Sequence, residues 1–210
     1  YDKWISEING VYEDGVLVGS GLLPQYPIVD LFNLDKKRQA ALFDDDGNFK
    51  GIPEGTISIC TYEGMSRIGF GQDSESDFIM ELKEILNQGF SGETERKKAL
   101  DDEKLNKMLG VAQEGTILNI DDAKFDYLTI DEAHNFNKIF PSVKGESNED
   151  GKRDKNNYQI RGTQSSRAIK AFFLSSYIQK TTRFGNICLL TATPFTNNPL
   201  EVYNILALTN

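Results

Sequence analysis

With 39% apolar residues over 210 positions, the chain has enough for a real core and suits one domain with an appendage. Lys and Arg number 23 against 32 Asp and Glu, and the formal charge of -9 excludes a basic nucleic-acid module recognised by net charge, so any polyanion must be met locally. No apolar run reaches the length of a membrane span, and Cys60 and Cys188, both in apolar runs, read as buried free thiols of a reducing, cytoplasmic compartment.

In chain order, "KWISEI" (Lys3–Ile8) reads as the end of a helix, and residues 1–55 as an irregular segment whose Gly, Pro and Asp punctuate hairpins and loops. No signal-peptide pattern is seen at the start, and Tyr1 in place of Met reads as an excised piece of a longer polypeptide. "GTISICTYEG" supplies a buried strand over Ile57–Cys60. "SESDFIMELKEILNQG" predicts an amphipathic helix capped by Ser74 and followed by Gly89, with Phe78, Leu82, Ile85 and Leu86 on one face. A charged helical insertion, about 90–110, follows as a peripheral element.

"KFDYLTI" is a second strand, and a polar loop occupies about 142–160. "QSSRAIKAFFLSSYIQKTTRFG" predicts a helix with Ile169, Phe172, Phe173, Ser176 and Tyr177 on its packed side and Gly185 near its stop. "NICLLTATP" is the third apolar strand and "NPLEVYNILAL" a closing helix with Pro199 in its first turn. Three near-continuous apolar strands separated by helices are what a parallel sheet covered on both faces produces, so the class is α/β.

Ligands of open parallel sheets bind at the carboxyl ends of strands, which directs attention to the tips "TYEG", "DEAH" and "TATP". Asp131 is placed to hold Mg²⁺, usually through water, and Glu132 to orient or deprotonate a water that attacks a terminal phosphate. The bland alternative is a solvated acidic turn. Thr191 and Thr193 put hydroxyls at the neighbouring tip, within reach of a carboxylate or of His134, and Pro194 ends that strand.

The ordered set "TYEG", "DEAH", "TATPFTNN" resembles the N-terminal RecA-like motor lobe of superfamily 2 DEAD/DEAH-box helicases. The residues after TATP are similar to the chromatin-remodeller branch, and to the helicase part of helicase/methylase-like proteins of bacterial mobile elements. The resemblance covers residues 56–210 well and residues 1–55 faintly. It implies a partial RecA-like, P-loop NTPase-type parallel sheet with flanking helices, acting in ATP-dependent movement along nucleic acid, DNA before RNA. It assigns Asp131 and Glu132 to the Mg-ATP carboxylate pair, and His134 to coupling the nucleotide and nucleic-acid sides. Thr191, Ala192 and Thr193 are assigned to linking hydrolysis with motion, and Thr61 to a nucleic-acid phosphate. Trp4 is similar to the Trp after the family's first nucleic-acid-contacting strand.

The family's phosphate loop, Gly-Lys-Ser/Thr, has no counterpart here: "VGSGLLP" lacks the lysine and Gly151-Lys152 runs into Arg153 with no strand before it. The second RecA-like lobe, a partner within the same polypeptide, has no counterpart either. The expectation is that ATP and Mg²⁺ are cofactors of the intact protein and that this chain alone neither binds ATP tightly nor hydrolyses it. A non-catalytic scaffold built on a degenerate motor lobe is the alternative. A calcium loop at "LFDDDGNFKGIP" fails, since Leu42 and Pro53 fall at its first and last ligand positions, and His134 has no second histidine as a zinc partner. Arg161, Arg167, Lys170, Lys180 and Arg183 read as a solvated helix face or, functionally, as a strip along a nucleic-acid backbone.

Overall fold

The computed structural model describes residues 2–14, 16–18, 21–23, 26–31, 42–70, 80, 84–85, 118–140, 142–144, 159–183, 185–195 and 198–209. The chain divides into two compact units, Tyr1–Gly71 with Ala112–Lys124 and Gln72–Val111 with Phe125–Asn210. Of the predicted 74–89 helix only Met80, Glu84 and Ile85 are described, and they are helical. The charged insertion lies outside the described residues. The polar loop expected over about 142–160 is cut back at both ends, because Ser142–Lys144 and Gln159–Arg161 pair as antiparallel strands, and residues 145–158 lie outside the described residues.

In the first unit, helix α1 (Asp2–Asn9) stops at Gly10, whose φ of 72° lets its amide turn back to Ser6 O at 2.8 Å. Leu22 N and Leu23 N then bond to Glu7 O and Ile8 O, so the returning chain satisfies carbonyls that the helix end leaves open. Between these points β1 (Val11–Glu13) and β2 (Val16–Val18) form an antiparallel hairpin, with Asp14 at φ 50° in its turn. The DDDGN stretch is also a turn. Gly47 N and Asp44 O close it at 2.9 Å, the Asp44 carboxylate accepts from Asn48 N and Nδ2, and Phe43 meets Phe49 edge to face.

β3 (Ile28–Asp30) pairs in parallel with β4 (Ile57–Ile59), in register from Ile28 opposite Ile57 to Asp30 opposite Ile59. The short helix α2 (Tyr62–Met65) leads from β4 to β5 (Ile68–Gly69), which pairs in parallel with β6 (Leu118–Asn119). Asn119 caps α3 (Ile120–Ala123) by accepting from Asp121 N. Leu31, Met65, Ile68, Phe70, Leu118 and Ile120 are buried in this unit.

In the second unit, β7 (Leu128–Ile130) lies parallel to β10 (Ile187–Leu189), Leu128 opposite Ile187 and Ile130 opposite Leu189. A 3₁₀ turn (Ala133–Phe136) follows β7, and β8 (Ser142–Lys144) pairs antiparallel with β9 (Gln159–Arg161). The 16-residue helix α4 (Ser166–Thr181) is capped by Ser165, whose side chain accepts from Ala168 N. Asn198 caps α5 (Pro199–Leu206) through Leu200 N, with Pro199 in the first turn where its missing N–H costs nothing. Phe136, Ile139, Ile169, Phe173, Ile178 and Leu208 are almost fully enclosed.

Three sequence expectations change. The strands are not continuously buried: β4 and β10 are half-buried throughout and Thr129 of β7 is exposed, because each described strand has a single described partner. The architecture is a mixed α/β one, with short parallel two-stranded sheets and helices among the described residues. Helix α4 buries Ala168–Ser175 continuously, so Lys170 is enclosed at 3% exposure instead of lying on a solvated face, while Ser176 and Tyr177 are half-buried. Arg167, Lys180 and Arg183 are exposed. Both cysteines are free and half-buried, and desolvation pushes the Cys60 thiol up to about 11, which leaves it a poor nucleophile. No helix among the described residues is long and apolar enough to cross a membrane.

Candidate functional site

Pairing between β7 and β10 continues past both strands and sets the two tips side by side. Leu190 N donates to Ile130 O at 2.9 Å, and Ala133 N returns to Leu190 O at 2.9 Å. Within that step the chain reverses through Glu132, a residue with a side chain held at φ 49° and ψ 49°. Such a left-handed conformation costs roughly 1 kcal/mol for a residue other than glycine and needs support. Support comes from three hydrogen bonds: Asp131 Oδ1 accepts from Glu132 N at 2.9 Å, and Glu132 O accepts from Asn135 N and Asn135 Nδ2 at 2.9 and 3.1 Å. Both carboxylates are exposed at this turn.

His134 sits in the 3₁₀ turn with one ring edge toward the other tip. Its Nδ1 lies 3.1 Å from Thr191 Oγ1, 3.5 Å from Thr193 Oγ1 and 3.2 Å from Glu132 Oε2. A carboxylate oxygen accepts only, so a proton on Nδ1 is the arrangement that satisfies this cluster, donated to Glu132 and shared with Thr191. Thr193 N donates to Thr191 Oγ1 at 3.2 Å, which closes the "TAT" tip on itself. Ala192 is exposed between the two threonines. Six of the seven residues singled out in sequence, Asp131, Glu132, His134, Thr191, Ala192 and Thr193, therefore occupy two adjacent strand tips of one unit.

The seventh, Thr61, belongs to the first unit. It caps α2, its Oγ1 accepting from Gly64 N at 3.1 Å. A Cβ at Gly64 would meet Thr61 Oγ1, Cys60 Cβ and Leu31 O at ordinary contact distance, each at 3.5 Å.

Among the described residues no three His, Cys, Asp or Glu side chains converge on one metal position. The two exposed carboxylates of Asp131 and Glu132 would leave most positions around a bound ion to water, which Mg²⁺ tolerates. For ATP the residues are insufficient, since the sequence contains no Gly-Lys-Ser/Thr cradle.

Two residues without a motif organise the loop behind the acidic turn. Asn204, 2% exposed in α5, accepts from Phe140 N at 3.0 Å and donates to Asn137 O at 2.8 Å. Gln164 Nε2 donates to Ile139 O at 2.9 Å from the other side. Their signal in sequence is slight, a lone amide within the apolar run of "PLEVYNILAL" and one just before a helix cap. Comparison with protein-family models, curated proteins and solved structures finds no match. The functional reading accordingly rests on these residues and their geometry.

Proposed function

We propose that the chain carries part of the first, RecA-like motor lobe of an ATP-dependent translocase or helicase acting on nucleic acid, DNA in particular. The observation that carries this reading is the His134 cluster, in which one imidazole nitrogen meets Glu132 from its own turn and Thr191 from the adjacent strand tip. A strand-tip carboxylate tied through a histidine to a second tip is a route by which a change at the water-activating group reaches a neighbouring element. In this role Asp131 holds Mg²⁺ through water, and Glu132 takes the proton of the attacking water. Thr191 fixes the His134 ring, and the phosphate cradle is supplied by residues other than these 210.

Thr191→Val tests the link, because it keeps the side-chain shape and deletes the hydroxyl. In a protein that supplies the cradle, the expected result is a loss of DNA-stimulated ATP hydrolysis of about tenfold, larger than the change without DNA. An equal change in both rates contradicts the coupling role. If the chain is instead a scaffold, hydrolysis is absent even with the cradle supplied.

A further inference from the structure

Glu132 combines a proposed chemical role with a left-handed backbone, at φ 49° and ψ 49°. The direction of its Cα–Cβ bond follows from the two peptide planes that meet at its Cα, because covalent geometry leaves Cβ no freedom of its own. Fixing both planes therefore fixes where the carboxylate starts from.

Each plane is held by a neighbouring side chain. On the N-terminal side Glu132 N donates to Asp131 Oδ1 at 2.9 Å, which orients the 131–132 peptide. On the C-terminal side Asn135 N and Asn135 Nδ2 both donate to Glu132 O, at 2.9 and 3.1 Å, so one residue fills both lone pairs of that carbonyl. The backbone bond belongs to the 3₁₀ turn, and any residue other than proline at 135 makes it. The second bond depends on the asparagine side chain.

The setting of that second bond argues against a purely stabilising role. Asn135 is exposed, so water competes for its amide, and the bond adds little to global stability. Its local effect is larger, because a residue with a Cβ favours the right-handed and extended regions over the left-handed one. Reaching them requires the 132–133 peptide to rotate, and the Asn135 amide opposes that rotation. Ala133 and Phe136, on either side, are 0% and 1% exposed, which anchors the Asn135 backbone against the core.

We propose that Asn135 is a positioning residue, whose side-chain amide holds the Glu132–Ala133 peptide plane and thereby aims the Glu132 carboxylate. The clamp rests on the geometry of the turn, and its consequence for catalysis rests on the motor reading above.

Three substitutions separate the donor from the bulk of the side chain. Asn135→Ala removes both, and Asn135→Asp keeps the shape with a carboxylate that cannot donate. Asn135→Ser restores a donor, and a serine spans this interval elsewhere in the chain, Ser66 Oγ donating to Glu63 O at 2.6 Å. In the 210-residue chain, the NMR Cα and Cβ shifts and the HN–Hα coupling of Glu132 report its backbone conformation. They should leave their left-handed values in Asn135→Ala and Asn135→Asp and keep them in Asn135→Ser, with the circular-dichroism spectrum of the wild type in all three. In a protein that supplies the phosphate cradle, Asn135→Ala and Asn135→Asp should lower the DNA-stimulated kcat about fivefold, the usual weight of one hydrogen bond, with KM for ATP within about twofold. Asn135→Ser should retain roughly half of the wild-type kcat or more. Glu132 signals identical in the wild type and Asn135→Ala overturn the clamp, whatever the hydrolysis rates. Shifted signals with an unchanged kcat overturn the positioning role. A cradle-supplied wild type that hydrolyses no ATP fails the motor reading, and the Glu132 signals of the 210-residue chain still decide the clamp.

Discussion

Replacing Asn204 with Leu keeps the branched shape of the side chain and removes both amide contacts to the loop that carries Asn137, Lys138 and Phe140. Phe140 is 7% exposed, so its orphaned N–H bears a desolvation cost of about 1–3 kcal/mol. Asn137 O, on a half-buried residue, is partly rescued by water, and its loss adds about 0.5–1 kcal/mol. Leu returns roughly 1 kcal/mol through added apolar burial. The net expectation is a destabilisation of about 2 kcal/mol, measured by urea unfolding at fixed m-value. Hydrogen exchange at the Phe140 amide supplies the local readout, and it should accelerate by more than the global change alone explains. A loss below about 0.5 kcal/mol with unchanged exchange at Phe140 would refute the claim that Asn204 pins this loop.

The enclosed ammonium of Lys170 makes a pH-dependent prediction. Desolvation lowers it from its usual 10.5 to about 7, so between those values the unfolded chain binds the extra proton and stability rises with pH, by up to about 1.4 kcal/mol per pH unit. Lys170→Met removes the charge at similar length, and the variant should be the more stable at pH 7. Its advantage over the wild type should shrink by about 2–3 kcal/mol between pH 7 and pH 9. A difference independent of pH over this window contradicts a desolvated Lys170. The Thr191→Val experiment above tests the coupling link.

How much was legible in the sequence depended on whether a signal was local. Turn chemistry and caps were readable because each is decided within a few residues: Asp44 and Asn48 close their turn, and Pro199 opens α5. The strand tips at Asp131 and Thr191 were readable because apolar runs stop at polar residues there. Pairing was not. β3 is three residues long within a Pro-rich stretch, too short for any period to register, yet it is the parallel neighbour of β4. The charge of Lys170 suggests a polar face, but the burial of α4 on nearly every side in its first half overrides that pattern. Asn204 leaves no spacing to read, because its partners Asn137 and Phe140 are distant in sequence.

ATP hydrolysis by the wild type and by Glu132→Gln, compared side by side with and without DNA, tests the motor assignment most directly. The protein used must supply the phosphate cradle, and nucleotide binding is measured in the same samples. Glu132→Gln keeps the shape and hydrogen-bonding reach of the side chain and removes its capacity to take a proton. The predicted result is retained nucleotide binding with DNA-stimulated turnover reduced about 10²–10⁴-fold, the usual worth of a positioned general base. Turnover unchanged by the substitution would contradict the assignment of Glu132.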